Sequence, residues 1–195
     1  MVEPFFNEEK EMSFSSIDLC SKALNKIGAN SIVSFDEGTP EAEICGSLYS
    51  TLKYKLLSIF SWGFATSIKK LNQVVEEEQN EYGYTFALPS DFIRALKISS
   101  NSPYKILGNY LYCNDEEVVL TYIANVGEEY FSPLFVSAFI YLMAAELSVS
   151  LLNDTSKYSL FYKLFNSEIR QAKSIDSQQE TPKVLGDFPL ISARG

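Results

Sequence analysis

No histidine occurs anywhere in the 195-residue chain. Its absence excludes Ser-His-Asp and Cys-His catalysis, imidazole-bound zinc or copper, and the usual switch near neutral pH. Cysteine is scarce too. Cys20, Cys45 and Cys113 are odd in number, widely separated and form no CxxC pair, so neither a zinc ribbon nor a disulfide framework is indicated. Cys20 and Cys45 fall on the apolar stripes of helical patterns, where each reads as a buried small hydrophobe. A reducing compartment fits. The nine glycines include neither GxGxxG nor GxxxxGKS/T, which leaves nucleotide binding without support.

Positive charge is the next shortage. Sixteen Lys+Arg against twenty-five Asp+Glu leave a net charge of -9, whereas a protein that grips phosphates needs a basic face. Lys53/Lys55 and Lys69-Lys70 read as a solvated face rather than a nucleic-acid track. The acidic start, Met1 to Glu11, lacks a signal-peptide apolar core. It reads as a flexible leader, or as a segment that translation from Met12 would omit.

The apolar material is ample: 46% of residues are hydrophobic and 14% aromatic, enough for a folded core and for large contact surfaces. Length favours one domain with an insertion. Ile17, Cys20, Ala23, Leu24 and Ile27 recur at helical spacing from about Ser15 to Lys26, with Ser15 or Ser16 as cap and Gly28 as stop. Thr39 caps a second helix with Pro40 at its first position. Ile44, Leu48, Leu52, Leu56 and Ile59 form its expected face, and it ends near Phe60.

From Trp62 to about Val126 the period shortens. Stretches at Tyr82–Leu88, Phe92–Ile98, Tyr104–Leu107, Tyr110–Cys113 and Val118–Ala124 predict a small antiparallel sheet inserted between helices. Leu107-Gly108-Asn109-Tyr110 and Cys113-Asn114-Asp115-Glu116 read as tight hairpin connections. The polar run Glu76–Glu81 reads as an exposed loop.

Ser132 and Pro133 open a third helix reaching about Leu152. Asp154 or Thr155 caps a fourth that runs to about Ser174, with Tyr158, Phe161, Phe165, Ile169 and Ala172 on one side. The fold class expected is therefore α+β. A bundle of about four helices (14–66 and 130–174) is interrupted by a β module (67–129), preceded by a leader (1–13) and followed by an extended tail (175–195). Val184, Leu185, Phe188, Leu190 and Ile191 in that tail have no local cover, so the tail is either disordered or docks on another subunit.

Segment 133–152 is long and apolar enough for a membrane span. A central core helix is preferred, because Glu146 lies inside the segment and acidic residues flank it; a membrane-anchored or accessory binding protein is the alternative. Glu146 then calls for a Lys or Arg across a helix or subunit contact. Asp36-Glu37, Glu41, Glu43, Asp115-Glu116-Glu117 and Glu128-Glu129 read as turns or solvated surface. They match neither a calcium loop nor the paired carboxylates of a glycosidase. No catalytic residue, metal or cofactor is expected.

Leu19-Cys20-Ser21-Lys22-Ala23-Leu24-Asn25-Lys26-Ile27-Gly28-Ala29, with Ile32 through Gly38 after it, resembles the opening of the podovirus tail tubular protein A family, the head-to-tail adaptors of short-tailed phages. The likeness continues at Ser61-Trp62-Gly63-Phe64-Ala65, at Tyr82 through Arg94 with its Leu88-Pro89-Ser90-Asp91 turn, at Leu120-Thr121-Tyr122-Ile123, and from Phe131 through Leu147. It covers roughly Ile17 to Ala172. Two features depart from the family pattern: the acidic Glu76–Glu81 run and the eleven residues before Met12.

The resemblance implies a virion protein, not an enzyme, assembled in the host cytoplasm as a ring of commonly twelve copies between portal and nozzle. It implies that Val184, Leu185, Phe188, Leu190, Ile191 and Arg194 dock on the portal protein. Tyr104, Tyr110 and Tyr112 of the β module would face a tubular protein B-like nozzle, with a tail fibre protein as a further possible partner. DNA would pass through the lumen without specific binding, and no membrane is involved.

Overall fold

A computed structural model of the chain describes residues 14–74 and 81–179. Among these residues it is a mixed α+β fold with four α-helices: α1 (Ser16–Ile27), α2 (Pro40–Ser58), α3 (Pro133–Ser150) and α4 (Thr155–Ser177). Seven strands lie between α2 and α3 among the described residues: β1 (Thr66–Lys70), β2 (Asn72–Val74), β3 (Tyr84–Ala87), β4 (Phe92–Ile98), β5 (Lys105–Leu107), β6 (Tyr110–Cys113) and β7 (Val119–Ala124). The expected leader and most of the expected tail and acidic loop lie outside the described residues.

Local chemistry sets the helix ends. Ser15 accepts the Asp18 N–H at 3.1 Å while the Asp18 carboxylate accepts the Ser15 N–H at 3.0 Å, closing a reciprocal cap on α1. Gly28 ends that helix at φ 83°, a left-handed conformation that costs glycine little. Thr39 with Pro40, and Ser132 with Pro133, start α2 and α3 as anticipated. Asp154 accepts the N–H groups of Ser156 and Lys157 to start α4, which continues one turn beyond the expected end.

On α1 and α4 most of the predicted apolar stripe is buried; Ile17 and Tyr158 are only partly so, and Leu19, outside the predicted stripe, joins the core of α1. On α2 the buried face is rotated: Ala42, Cys45, Tyr49, Leu52 and Leu56 point inward, Ile44 and Leu48 sit at its margin, and Ile59 is exposed. The rotation has a physical reason. Tyr49 buries its ring edge-on to Phe139 at 5.2 Å and leads its hydroxyl to Glu128, which a leucine face cannot do. Cys20 and Cys45 lie buried against one another between α1 and α2.

The apolar helix α3 packs against α1, α2 and α4. It is the one helix among the described residues long and apolar enough to cross a membrane, and 61% of it is buried inside the protein.

Two antiparallel sheets replace the single sheet expected. One has the order β1-β7-β4, the other β2-β3-β6-β5. The connection around Gly108 and Asn109 is a hairpin, pairing Leu107 with Tyr110, and Gly108 supplies the positive φ of 56° that the turn needs. The segment Cys113–Glu116 is not. It carries the chain from β6, paired with β3 and β5, across to β7, paired with β1 and β4. Leu111, Cys113, Val118 and Leu120 all bury in the core between the sheets, so the two strands face each other as layers instead of pairing edge to edge.

The sheet β1-β7-β4 serves two cores. Ile93, Leu96 and Ile123 face the helices, while Phe92, Ala95, Ile98, Leu120 and Tyr122 face the second sheet. A strict two-residue alternation cannot place 92, 95 and 98 together. Two register shifts in β4, between Phe92 and Arg94 and between Ala95 and Lys97, make it possible.

Trp62 joins helix to sheet. Its fully buried indole donates to the Leu56 carbonyl at 2.9 Å and lies 4.9 Å from Phe60, 5.8 Å from Phe64 and 5.1 Å from Phe135, measured between rings. Trp62→Ala is expected to cost about 3–5 kcal/mol in urea unfolding. Trp62→Phe, which keeps a ring but orphans the carbonyl, should cost about 1–3 kcal/mol. An alanine variant within about 1 kcal/mol of wild type would show that the joint lies elsewhere.

Candidate interaction surface

The strongest candidate surface is the outer face of the sheet β2-β3-β6-β5. Side chains alternate along β6, so Leu111 and Cys113 turn inward while Tyr110 and Tyr112 share the opposite face. Cross-strand register sets Leu107 beside Tyr110 and Lys105 beside Tyr112. Leu107 is 51% and Tyr110 37% exposed, an apolar and an aromatic side chain side by side with nothing over them among the described residues. Tyr104 does not join them. It is half-buried and packs with Ile106 against the core between the sheets.

Beside this face is a concavity of about 320 Å³ between Leu88–Phe92 and the Gly108-Asn109 tip. Leu88 donates its N–H to the Asn109 carbonyl at 2.9 Å and holds the two rims together. The family resemblance singled out the tyrosines but not Leu107 or this rim. The register that brings them together is a property of the paired strands.

The tail positions Val184, Leu185, Phe188, Leu190, Ile191 and Arg194 lie outside the described residues. Glu146 is half-buried on α3, and no Lys or Arg reaches it within ion-pair distance among the described residues. Its nearby group is Tyr158 of α4, whose hydroxyl is pushed up by burial and then by the Glu146 charge. Leu160 and Leu164 on α4 are also exposed, off the buried stripe.

Several carboxylates have structural partners. Glu37 accepts the N–H of Val33 and the hydroxyl of Thr39, and these bonds hold its carboxyl below the ordinary range. Asp115 accepts from Ser100 and Ser102. Asp91 accepts the Tyr122 hydroxyl at 3.0 Å; burial and that carboxylate push Tyr122 up to about 12. Asp176 accepts the Gly63 N–H and ties the end of α4 to the start of the strand region. Among the described residues no group of three or more acids and cysteines gathers in a way that would hold a metal ion.

Glu128 is half-buried and doubly bonded. It accepts from the Tyr49 hydroxyl at 2.7 Å and from the Lys53 ammonium at 2.9 Å, bridging α2 to the segment before α3. Burial alone would raise its carboxyl, but Lys53 and Tyr49 outweigh it and hold it below the ordinary carboxylate range. The reciprocal effect, with desolvation first, pushes the Tyr49 phenol up.

What this surface offers is contact: an exposed leucine, two tyrosines and a shallow rim. No protein-family model matches the chain, and comparison with curated proteins finds no match either.

Two outcomes follow from the geometry. Glu128→Gln should lower stability by about 1–3 kcal/mol at pH 7. A depressed carboxyl contributes stability above its unfolded pKa and loses it as pH falls through the folded value. The gap to wild type should therefore narrow below about pH 4; a gap independent of pH in denaturant titrations would exclude the charge as its source. The double variant Leu107→Ser, Tyr110→Ser should stay within about 0.5 kcal/mol of wild type per site, because neither side chain supports the core. A larger loss would make this face structural.

Proposed function

We propose that the chain is a structural virion protein of a short-tailed phage: a copy of the ring that joins portal to nozzle and lets DNA pass. The observation that carries the reading is that the stretches resembling the adaptor family, distant in sequence, meet one another in space. Trp62 and Phe64 pack on Phe131 and Phe135. Asp91 of the Leu-Pro-Ser-Asp turn accepts from Tyr122 of the Leu-Thr-Tyr-Ile stretch. Leu19 through Ile27 pack into the core shared with α3. The likeness thus lies in residues that hold one scaffold together, not in an isolated motif.

In this reading the four helices form the bundle of the ring subunit. The sheet face with Leu107, Tyr110 and Tyr112 meets the nozzle, and Tyr104 supports it from within. The tail, with Val184, Leu185, Phe188, Leu190, Ile191 and Arg194, docks on the portal, where burial is worth about 25 cal/mol per Å² of apolar surface. Net charge -9 suits a conduit, since carboxylates repel phosphates over the screening length of about 8–10 Å.

Negative-stain microscopy of the purified chain, alone and mixed with the portal protein of the same genome, tests the reading. Rings, or added density beneath the portal, are expected. A monomer that also ignores the portal would overturn it. A chain lacking 177–195 should remain folded yet lose the portal; wild-type portal binding by that truncation would remove the docking role of the tail.

A further inference from the structure

Between α1 and α3 lies a groove of about 300 Å³, lined by Lys22, Asn25 and Lys26 on one wall and Ser137, Ile140 and Tyr141 on the other. It is a positive site on a chain of net charge -9. The Lys22 ammonium lies 3.8 Å from the centre of the Phe14 ring and the Lys26 ammonium 4.4 Å from that of Tyr141. The rings hold both charges at the rim by cation–π attraction. Neither lysine has an ion-pair partner among the described residues, where the pairs are Lys53–Glu128 and Lys70–Glu117. Asp18, one turn before Lys22, is hydrogen-bonded to Ser15 and attracts Lys22 only from beyond ion-pair distance. Two ammonium groups that make no ion pair among the described residues, over an apolar floor of Ile140 and Tyr141, suit a segment that carries carboxylates and an aromatic ring together.

The chain has such a segment beside the groove. The described residues begin at Phe14, whose ring lies under Lys22. The thirteen residues before it carry Glu3, Glu8, Glu9 and Glu11 against Lys10 alone, together with Phe5 and Phe6. Lys26 lies about 18 Å along α1 from Phe14 at 1.5 Å per residue. Residues 5–13 extended reach about 30 Å at 3.3–3.6 Å each, so both lysines are within range. A tether this short supplies an effective concentration on the order of millimolar, so weak contacts suffice.

We propose that residues 1–13 fold back along α1 into this groove, with glutamates on Lys22 and Lys26 and a phenyl ring of Phe5 or Phe6 on Ile140 and Tyr141. The inference stands apart from the adaptor reading and holds whether or not the chain joins a portal.

Carbodiimide treatment of the full chain at low ionic strength tests it. The reagent joins a carboxylate to an ammonium in contact as an amide, itself taking up the water lost. Isotope-labelled and unlabelled copies are mixed, and the links are mapped by mass spectrometry. Glu8, Glu9 or Glu11 should be joined to Lys22 or Lys26 within one copy, at about ten times the yield to exposed Lys55, Lys69 or Lys163. Replacing Phe5 and Phe6 by alanine should lower that yield at least threefold. Evenly spread links, or a yield indifferent to the two phenylalanines, would mean a merely tethered segment and overturn the proposal. Links found only between labelled and unlabelled copies would assign the groove to the leader of a second copy and overturn it as well.

Discussion

The fully buried indole of Trp62 closes the end of α2 by its bond to the Leu56 carbonyl, stacks on Phe64 and meets Phe60 and Phe135 edge-on. Because β1 starts just after this point and α3 supplies Phe135, the direction in which the strand region leaves the helices is set there. Asp176 adds a second tie by taking the Gly63 N–H from the far end of α4. Elements from both ends of the described chain therefore converge on a few residues. An aromatic cluster suits that task, since large rings bury much area with few rotatable bonds.

The sheet β1-β7-β4 carries the consequences of that junction outward. One side belongs to the helical core and the other to the core between the sheets, so β7 is apolar along almost its whole length. The bulges in β4 let a single strand feed both sides. The second sheet is thereby held at one remove from the helices, with its outer face uncovered at Leu107 and Tyr110. This open face arises from the same layering that buries the inner one.

Charge is arranged on a similar principle. Buried or half-buried carboxylates such as Glu128 and Asp91 have hydrogen-bond donors that compensate their removal from water. Among the described residues, Asp36, Glu43, Glu116, Glu117 and Glu129 face solvent. Against that background the Lys22–Lys26 groove is a local reversal of sign beside an apolar floor.

Caps and stops were legible in the sequence because each depends on residues within one turn: Ser15 with Asp18, Thr39 with Pro40, Ser132 with Pro133, and Gly28 at its positive φ. The apolar stripes of α1 and α4 and the hairpin at Gly108 were legible for the same reason. β1 and β2 were not, since Thr66–Lys70 and Asn72–Val74 are polar and mostly exposed and exist as strands only through backbone bonds to β7 and β3. Nor could periodicity show that Cys113–Glu116 crosses between sheets, or that Tyr49 and Cys45 join Leu52 and Leu56 on the buried face of α2 in place of Ile44 and Ile59. The pairing of Thr66 with Ile123, the meeting of Tyr110 with Leu107 and the groove between α1 and α3 join positions far apart or on separate elements. Local propensity determines where an element begins and ends; which faces are buried and which surfaces remain open is decided only when distant apolar residues compete for the same core.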